Sequence, residues 1–245
     1  MSRYYYDFHI HSCLSPCADN EMTPSSIAGI ATLAGINIMA LTDHNTVKNC
    51  PAFFTAAKAY GVIPIAGMEL TTAEDIHIVC LFEKLEKALE FGDAVDKRRI
   101  LIKNKVAIFG DQLIMDAEDN VIGTDEYLLS NATNITIDEV PDMVRAYDGV
   151  CFPAHIDRSA NSVTAILGTF PESPYFGLAE LHDSERAAEC LENYPILKDR
   201  MLLYSSDAHY MWDIRDASAY VDIDDEPYSS DLVRSRLFDI LRSKF

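Results

Sequence analysis

At 245 residues the chain can bury one substantial core, and with 49% apolar residues it is globular rather than disordered. Its 39 acidic residues against 20 basic ones give a net charge of -19, which excludes a broad electrostatic grip on long nucleic acid or on an anionic membrane. A small anionic substrate would need local positive charge, and bound divalent cations would supply it.

No apolar run approaches the ~20 residues that span a bilayer. The N-terminus lacks the basic and apolar regions of a signal peptide, so a cytoplasmic protein is expected. Cys13, Cys17, Cys50, Cys80, Cys151 and Cys190 are scattered, several of them inside apolar runs, and read as free thiols rather than a disulfide framework.

The first predicted strand, Tyr4 to His11, is aromatic and β-branched and ends in His9 and His11, which alternation places on one face. A loop follows, and then a helix with Thr23 as N-cap and Pro24 in its first turn, running to about Ala34 and closed by Gly35. Ile36 to Leu41 reads as a strand reaching Asp43-His44. Cys50 to Tyr60 reads as a helix stopped by Gly61, and Val62 to Ala66 as a strand running into Glu69. This alternation predicts parallel βα units. Ile76 to Phe82 continues the pattern, with Ile76, Ile78, Cys80 and Phe82 on one face and His77, Val79 and Leu81 on the other.

Residues 83 to about 135 break the rhythm and are expected to form an inserted lid or hairpin. It opens with a charged helical stretch and contains the apolar runs Val106 to Phe109, Leu113 to Met115 and Val121 to Ile122. The Thr136-x-x-Glu139 spacing predicts a capped helix to about Tyr147. Predicted strands then follow at Val150 to Pro153 before His155, at Leu178 to Leu181 before His182, and at Met201 to Tyr204 before Asp207 and His209. A helix to about Asn193 separates the last two. Ala219 to Ile223 and an amphipathic helix from Asp231 to Arg242 complete one predicted domain over 1–245.

Each of the seven histidines is thus expected in a strand or at its C-terminal end, the rim where parallel barrels build their sites. A single buried histidine is usually a hydrogen-bonded core residue. Seven on one rim, accompanied by Asp43, Glu69 and Asp207, predict a cluster suited to zinc, manganese or iron rather than calcium. The donors outnumber what one ion uses, so a multinuclear site is expected. Such sites activate a water and clamp a phosphate.

Asp-Phe-His-Ile-His at 7–11, Leu-Thr-Asp-His-Asn at 41–45, Gly-Met-Glu-Leu at 67–70, Ala-His at 154–155 and Ser-Asp-Ala-His at 206–209 resemble, in order, the motifs of the polymerase and histidinol phosphatase (PHP) superfamily. The resemblance implies a distorted (β/α)7 barrel and about three metal ions. It implies one ion on His9, His11, Glu69 and Asp207, a second on Glu69, His77 and His155, and a third on Asp19, His44 and His209. Asp19 departs from the pattern, because relatives carry this Asp in a Ser-Asp-Gly turn closer to the second histidine. Glu21 competes for the role. His182 has no counterpart and is expected to support the site or the fold.

Arg158 resembles the arginine that nucleotide phosphatases of this family carry after the same histidine. It would bind phosphate and stabilise the transition state, with a surface ion pair as the alternative. Cys13 and Cys17 fit neither a Cys-x-x-Cys redox pair nor a zinc ribbon. Thiols packed in the loop are expected, with a redox or metal-coordinating role as the alternative. The function expected is hydrolysis of a small phosphomonoester, nucleotide-like or sugar phosphate, by a metal-bridging hydroxide. Asp207 and Arg158 would be catalytic, and neither a long nucleic acid nor a membrane is expected as partner. The alternatives are a phosphodiesterase or 3′-5′ exonuclease on short oligonucleotides, and a non-hydrolytic metal or nucleotide sensor.

Overall fold

The computed structural model describes residues 1–245. Strand β1 (Ser2–Asp7) is followed by α1 (Pro24–Leu33), whose first turn is held by Thr23 Oγ1 accepting the Ser26 N–H at 3.2 Å. Next come β2 (Ile38–Leu41), α2 (Cys50–Tyr60) and β3 (Ile63–Thr71). Gly61, at φ +75°, ends α2 in the left-handed conformation expected of a glycine stop. Strands β1, β2 and β3 are parallel, as the alternation predicts.

Strand β4 (His77–Phe82) departs from that rule, pairing antiparallel with β3 and, on its other side, with β7 (Val150–Pro153). Only Thr72 to Ile76 separate β3 from β4. That is far too short for a parallel crossover, and the turn closes with the Thr72 N–H donating to the Ile76 carbonyl at 2.9 Å. His77 therefore begins its strand instead of ending it. Because the strand is reversed, its beginning lies on the same rim as the ends of its neighbours.

Helix α3 (Leu85–Asp96) packs on this hairpin, with Ala88, Phe91 and Val95 buried and the Phe91 ring 4.8 Å from that of Phe82. Val106–Phe109, an apolar run in the predicted hairpin region, is instead a helical turn, α4. Beyond it β5 (Leu113–Met115) and β6 (Val121–Thr124) form an antiparallel hairpin. Helix α5 (Val140–Arg145) starts later than its capping box predicts: Glu139 Oε2 accepts the Thr136 N–H at 2.9 Å, but residues 137–139 form a turn. The chain continues through α6 (Val163–Leu167), β8 (Leu178–Leu181), α7 (Ala187–Asn193), β9 (Met201–Tyr204), β10 (Tyr220–Ile223) and α8 (Ser230–Arg242).

The main sheet runs β10-β1-β2-β3-β4-β7 and curls, while β8 and β9 form a separate parallel pair. The Ile156 N–H bonds to the Glu180 carbonyl beside β8, and a bridge from Ile10 to Ala208 joins the end of β1 to the segment after β9. The result is a distorted barrel in which β1, β2, β3, β4, β7, β8 and β9 are the staves and the ladder is not continuous. Alternating residues feed two layers. Ile78, Cys80 and Phe82 belong to an outer layer that also takes in buried residues of α1, α2 and α3, while Val79 and Leu81 join Tyr6, Ile65 and Phe152 inside, where Leu237 and Phe238 of α8 add to the layer. Each large side chain so buried contributes about 1.5–3 kcal/mol, enough to fix the register of the strands beneath the rim.

Candidate metal centre

The rim gathers the histidines because strand ends are pinned to each other there. Past β1, the Ile10 N–H donates to Thr42 Oγ1 at 3.0 Å and the Thr42 N–H to the Ile10 carbonyl at 2.9 Å, which fixes His9 and His11 beside the end of β2. His44 follows β2, Glu69 lies within β3, His77 opens β4, His155 follows β7, and Asp207 and His209 follow β9. Asn45, His155 and Asp207 hold φ of +51°, +30° and +52°. Non-glycine residues adopt such angles at a cost, so the surrounding structure holds this rim in place.

Glu69 is the hub. Its Oε1 lies 2.8 Å from His77 Nδ1, 3.2 Å from His155 Nε2 and 3.2 Å from His9 Nε2, while its Oε2 lies 2.9 Å from His44 Nδ1 and 3.4 Å from His11 Nε2. Asp207 Oδ1 sits 3.3 Å from His9 Nε2 and 3.2 Å from His11 Nε2. These donors form three overlapping groups, His9 with His11, Glu69 and Asp207, His44 with Glu69 and His77, and His11 with His44 and His209.

Hydrogen bonds around the rim decide which nitrogens face inward. Ser15 Oγ–H donates to Asp43 Oδ1 at 2.7 Å, so Ser15 Oγ is left to accept from His11 Nδ1 at 2.9 Å, and the Nε2 lone pair of His11 points into the cluster. His9 Nδ1 bonds to Glu180 Oε1 at 2.9 Å, and His209 Nδ1 donates to the Asp207 carbonyl at 2.9 Å. His9 Nε2 and His11 Nε2 then face each other at 3.2 Å with both Nδ1 hydrogens committed elsewhere. Two such nitrogens that close share either a proton or a metal cation.

His44 Nδ1 and Asp207 Oδ1 are buried within contact distance of partners yet out of hydrogen-bond alignment with them, as donors aimed at a common point would be. An imidazole and carboxylate set of this kind fits zinc, manganese or iron.

The charges agree. Burial opposes ionisation of Glu69, but His77, His9 and His44 outweigh it and hold the carboxyl well below its ordinary range. Burial likewise disfavours charge on His9, yet Glu180, Glu69 and Asp207 raise its affinity for a proton well above the usual value. His77 goes the other way, since burial lowers its pKa more than Glu69 restores it. The site attracts cations at a rim with little solvent access, where such attraction is strong.

Arg158 lies over the cluster, its Nη1 on Asp207 Oδ2 and its Nη2 3.1 Å from His182 Nδ1. Arg215 approaches His182 from the far side, with Nη2 2.7 Å from Nε2 and Nη1 2.6 Å from the carbonyl. Burial, Arg158 and Arg215 together lower the pKa of His182, so it stays neutral between two guanidiniums. A cationic strip thus leads away from the cluster in a strongly acidic protein.

Asp19 is not part of the three groups. Its backbone N–H donates to the His209 carbonyl at 2.9 Å, but its Oδ1 accepts the Glu21 N–H at 2.8 Å, and Glu21 is exposed. Cys17 stands at the cluster instead, with Sγ 3.2 Å from His44 Nε2. Burial opposes loss of its proton, but His44 and His209 outweigh it and bring the thiol down to about 5.

Glu180 and Arg215 are the residues that sequence reasoning did not place here, while Cys17 stands where a metal-coordinating role was the alternative to a packed thiol. Glu180 carried a readable signal, a carboxylate inside the apolar Leu178–Leu181 strand. Arg215 carried none.

A model of the PHP domain family matches residues 7–132. A 5'-3' exoribonuclease from Haemophilus influenzae is 32% identical over 115 residues, which are 39% of this chain and 41% of the relative, so the chain spans about two fifths of that protein's length. Among solved structures, the lesion-specific endonuclease EndoQ from Pyrococcus furiosus superposes with a TM-score of 0.65 at 18% identity, covering 99% of this chain and 56% of its own. A proposed metal-dependent phosphoesterase from Bifidobacterium adolescentis superposes with a TM-score of 0.59 at 14% identity over 96% of both chains. At such identities the two superpositions speak to the fold.

Proposed function

The chain belongs to the PHP domain family, whose members are metal-dependent phosphoesterases, and from that premise we propose that it hydrolyses a small phosphomonoester, nucleotide-like or sugar phosphate, with about three divalent ions of zinc, manganese or iron. One position would be held by His9, His11, Glu69 and Asp207, a second by Glu69, His77 and His155, and a third at His44 and His209. Ions bound there supply Lewis acidity, lowering the pKa of a water and neutralising phosphoryl oxygens.

The observation that carries the reading is the convergence of Glu69, Asp207 and the imidazoles on one buried centre, with a guanidinium poised above it. Glu69 and Asp207 keep their negative charge beside the imidazoles, so the donors stay ready for cations. Arg158, whose side chain is 40% exposed, can turn from Asp207 to a phosphate oxygen and meet the charge that grows as the ester bond breaks. Neutral His182 has a single acceptor nitrogen, so it accepts from one of the two arginines at a time and stands between Arg158 and Arg215 without adding a competing charge.

The test is metal-dependent phosphate release from nucleotides, bisphosphates and sugar phosphates. Asp207→Asn is expected to lower turnover by about two orders of magnitude or more, and Arg158→Ala by about 10–100-fold. Full turnover in Asp207→Asn would overturn the site, and silence from protein shown to carry metal would overturn the monoester.

A second reading, cleavage of diesters at the end of a short single strand, is favoured by one feature. Tyr210 and Trp212, which follow His209, stack with ring centroids 4.9 Å apart, and Trp212 is 77% exposed. Aromatic faces of this kind stack nucleobases. The exonuclease activity in the name of the Haemophilus influenzae relative points the same way. Release of mononucleotides from a labelled oligonucleotide, sensitive to Trp212→Ala, would favour this reading over the first.

A further inference from the structure

The third donor group leads to a residue that the family motifs do not supply. Three imidazoles, those of His11, His44 and His209, converge there. Cys17 Sγ lies 3.2 Å from His44 Nε2, on the opposite side of that ring from Glu69. The Nδ1 of His209 is occupied by the Asp207 carbonyl, so its Nε2 is the nitrogen left to coordinate.

The loop that carries Cys17 is held at both sides. The Cys13 N–H donates to the Met22 carbonyl at 2.8 Å, the Ala18 N–H to the Ser15 carbonyl at 2.9 Å, and the Asp19 N–H to the His209 carbonyl at 2.9 Å. This last bond brings the backbone of Asp19 to the site while its carboxylate closes the turn onto Glu21.

We propose that the Cys17 thiolate is a protein ligand of the cation position formed by His44 and His209, in the place the family resemblance gives to Asp19. The inference rests on the metal-dependent reading above and deepens it. Sulfur and two or three imidazole nitrogens make a soft donor set, which favours zinc or cobalt over manganese, while the carboxylate-bridged positions around Glu69 stay permissive. The chain is thereby predicted to hold two kinds of metal position side by side.

Cobalt reports directly on sulfur ligation. Cobalt-loaded protein is expected to show a near-ultraviolet thiolate-to-cobalt charge-transfer band that Cys17→Ser removes, with loss of about one metal equivalent. Cys17→Asp should restore the metal count without the band. Cys17 is an exposed residue although its Sγ is held against His44, so alkylation gives an independent readout on the unaltered chain. Zinc loading is expected to slow iodoacetamide labelling at Cys17 about tenfold or more, because a metal-bound thiolate is a poor nucleophile. A cobalt-loaded, hydrolytically active protein without the band, or equal labelling rates with and without zinc, overturns the assignment of Cys17 and leaves the metal-dependent reading standing. Failure of the unaltered chain to retain any metal removes both.

Discussion

At the scale of residues, the reach of the site depends on partners behind the ligating groups. Glu180 is buried and bonds to His9 Nδ1 at 2.9 Å, and its Oε1 also accepts the His155 backbone N–H at 3.0 Å, so one carboxylate orients the His9 imidazole and holds the backbone that carries His155. Glu180→Gln keeps the shape but removes the charge that favours the inward-facing nitrogen of His9. It is expected to weaken metal affinity by about 10–100-fold, measured by competition with a chelator of known affinity. Unchanged affinity would reduce Glu180 to a packing role. The histidine and acid motifs were readable in the sequence because donors at spacing i, i+2 on a strand must share a face. Glu180 showed only as a carboxylate inside an apolar strand and Arg215 not at all, since both act on groups brought to them by other parts of the chain.

At the scale of elements, the segment between β4 and α5 is tied to the rim loops by polar anchors more than by apolar contact. Asp125 accepts from both terminal nitrogens of Arg99 at 3.1 Å and from Lys48 Nζ at 2.7 Å, joining the segment just after β6 to the one just after α3 and to the loop before α2. Gly110, at φ +97°, lies against Pro16, where an added Cβ would meet the Pro16 carbonyl oxygen at 2.2 Å. Burial raises the pKa of Asp125, but Arg99 and Lys48 outweigh it and leave the carboxyl below its ordinary 3.8. A depressed pKa means that the folded state prefers the ionised form. The stabilisation is therefore complete above the ordinary value and is lost as pH falls through the lowered one. Asp125→Ala is expected to cost about 1–3 kcal/mol at neutral pH, because the Arg99 guanidinium loses two charge-assisted hydrogen bonds while keeping Asp96 and the Tyr127 carbonyl. Asp125→Asn should flatten the acid limb of denaturation midpoint against pH, and an unchanged limb would count against the anchor. The antiparallel β4 is the element whose sense the βα alternation missed, although the short turn from Thr72 to Ile76 carried the information.

For the whole molecule, a cluster of buried carboxylates and imidazoles inside a chain of net charge -19 is expected to gain stability from bound cations. At metal concentrations about 100 times the dissociation constant, linkage contributes about 2.7 kcal/mol per site. Exhaustive chelation is therefore expected to lower the thermal midpoint by about 5–10 °C, restored by zinc or manganese, and an unchanged midpoint would argue against occupancy of the site. No helix is long and apolar enough to cross a membrane.

By itself the sequence determined the strand and helix order through β3, the caps of α1 and α2, and the residue types of the centre, because periodicity, turn chemistry and donor spacing are local properties of the chain. Only the tertiary structure decided that His77 reaches the rim from the start of a reversed strand, that Glu69 is the hub, and that Cys17 rather than the Asp19 carboxylate faces His44. These depend on strand sense and loop path, which are set when distant segments pack against one another and leave no mark at the residues themselves.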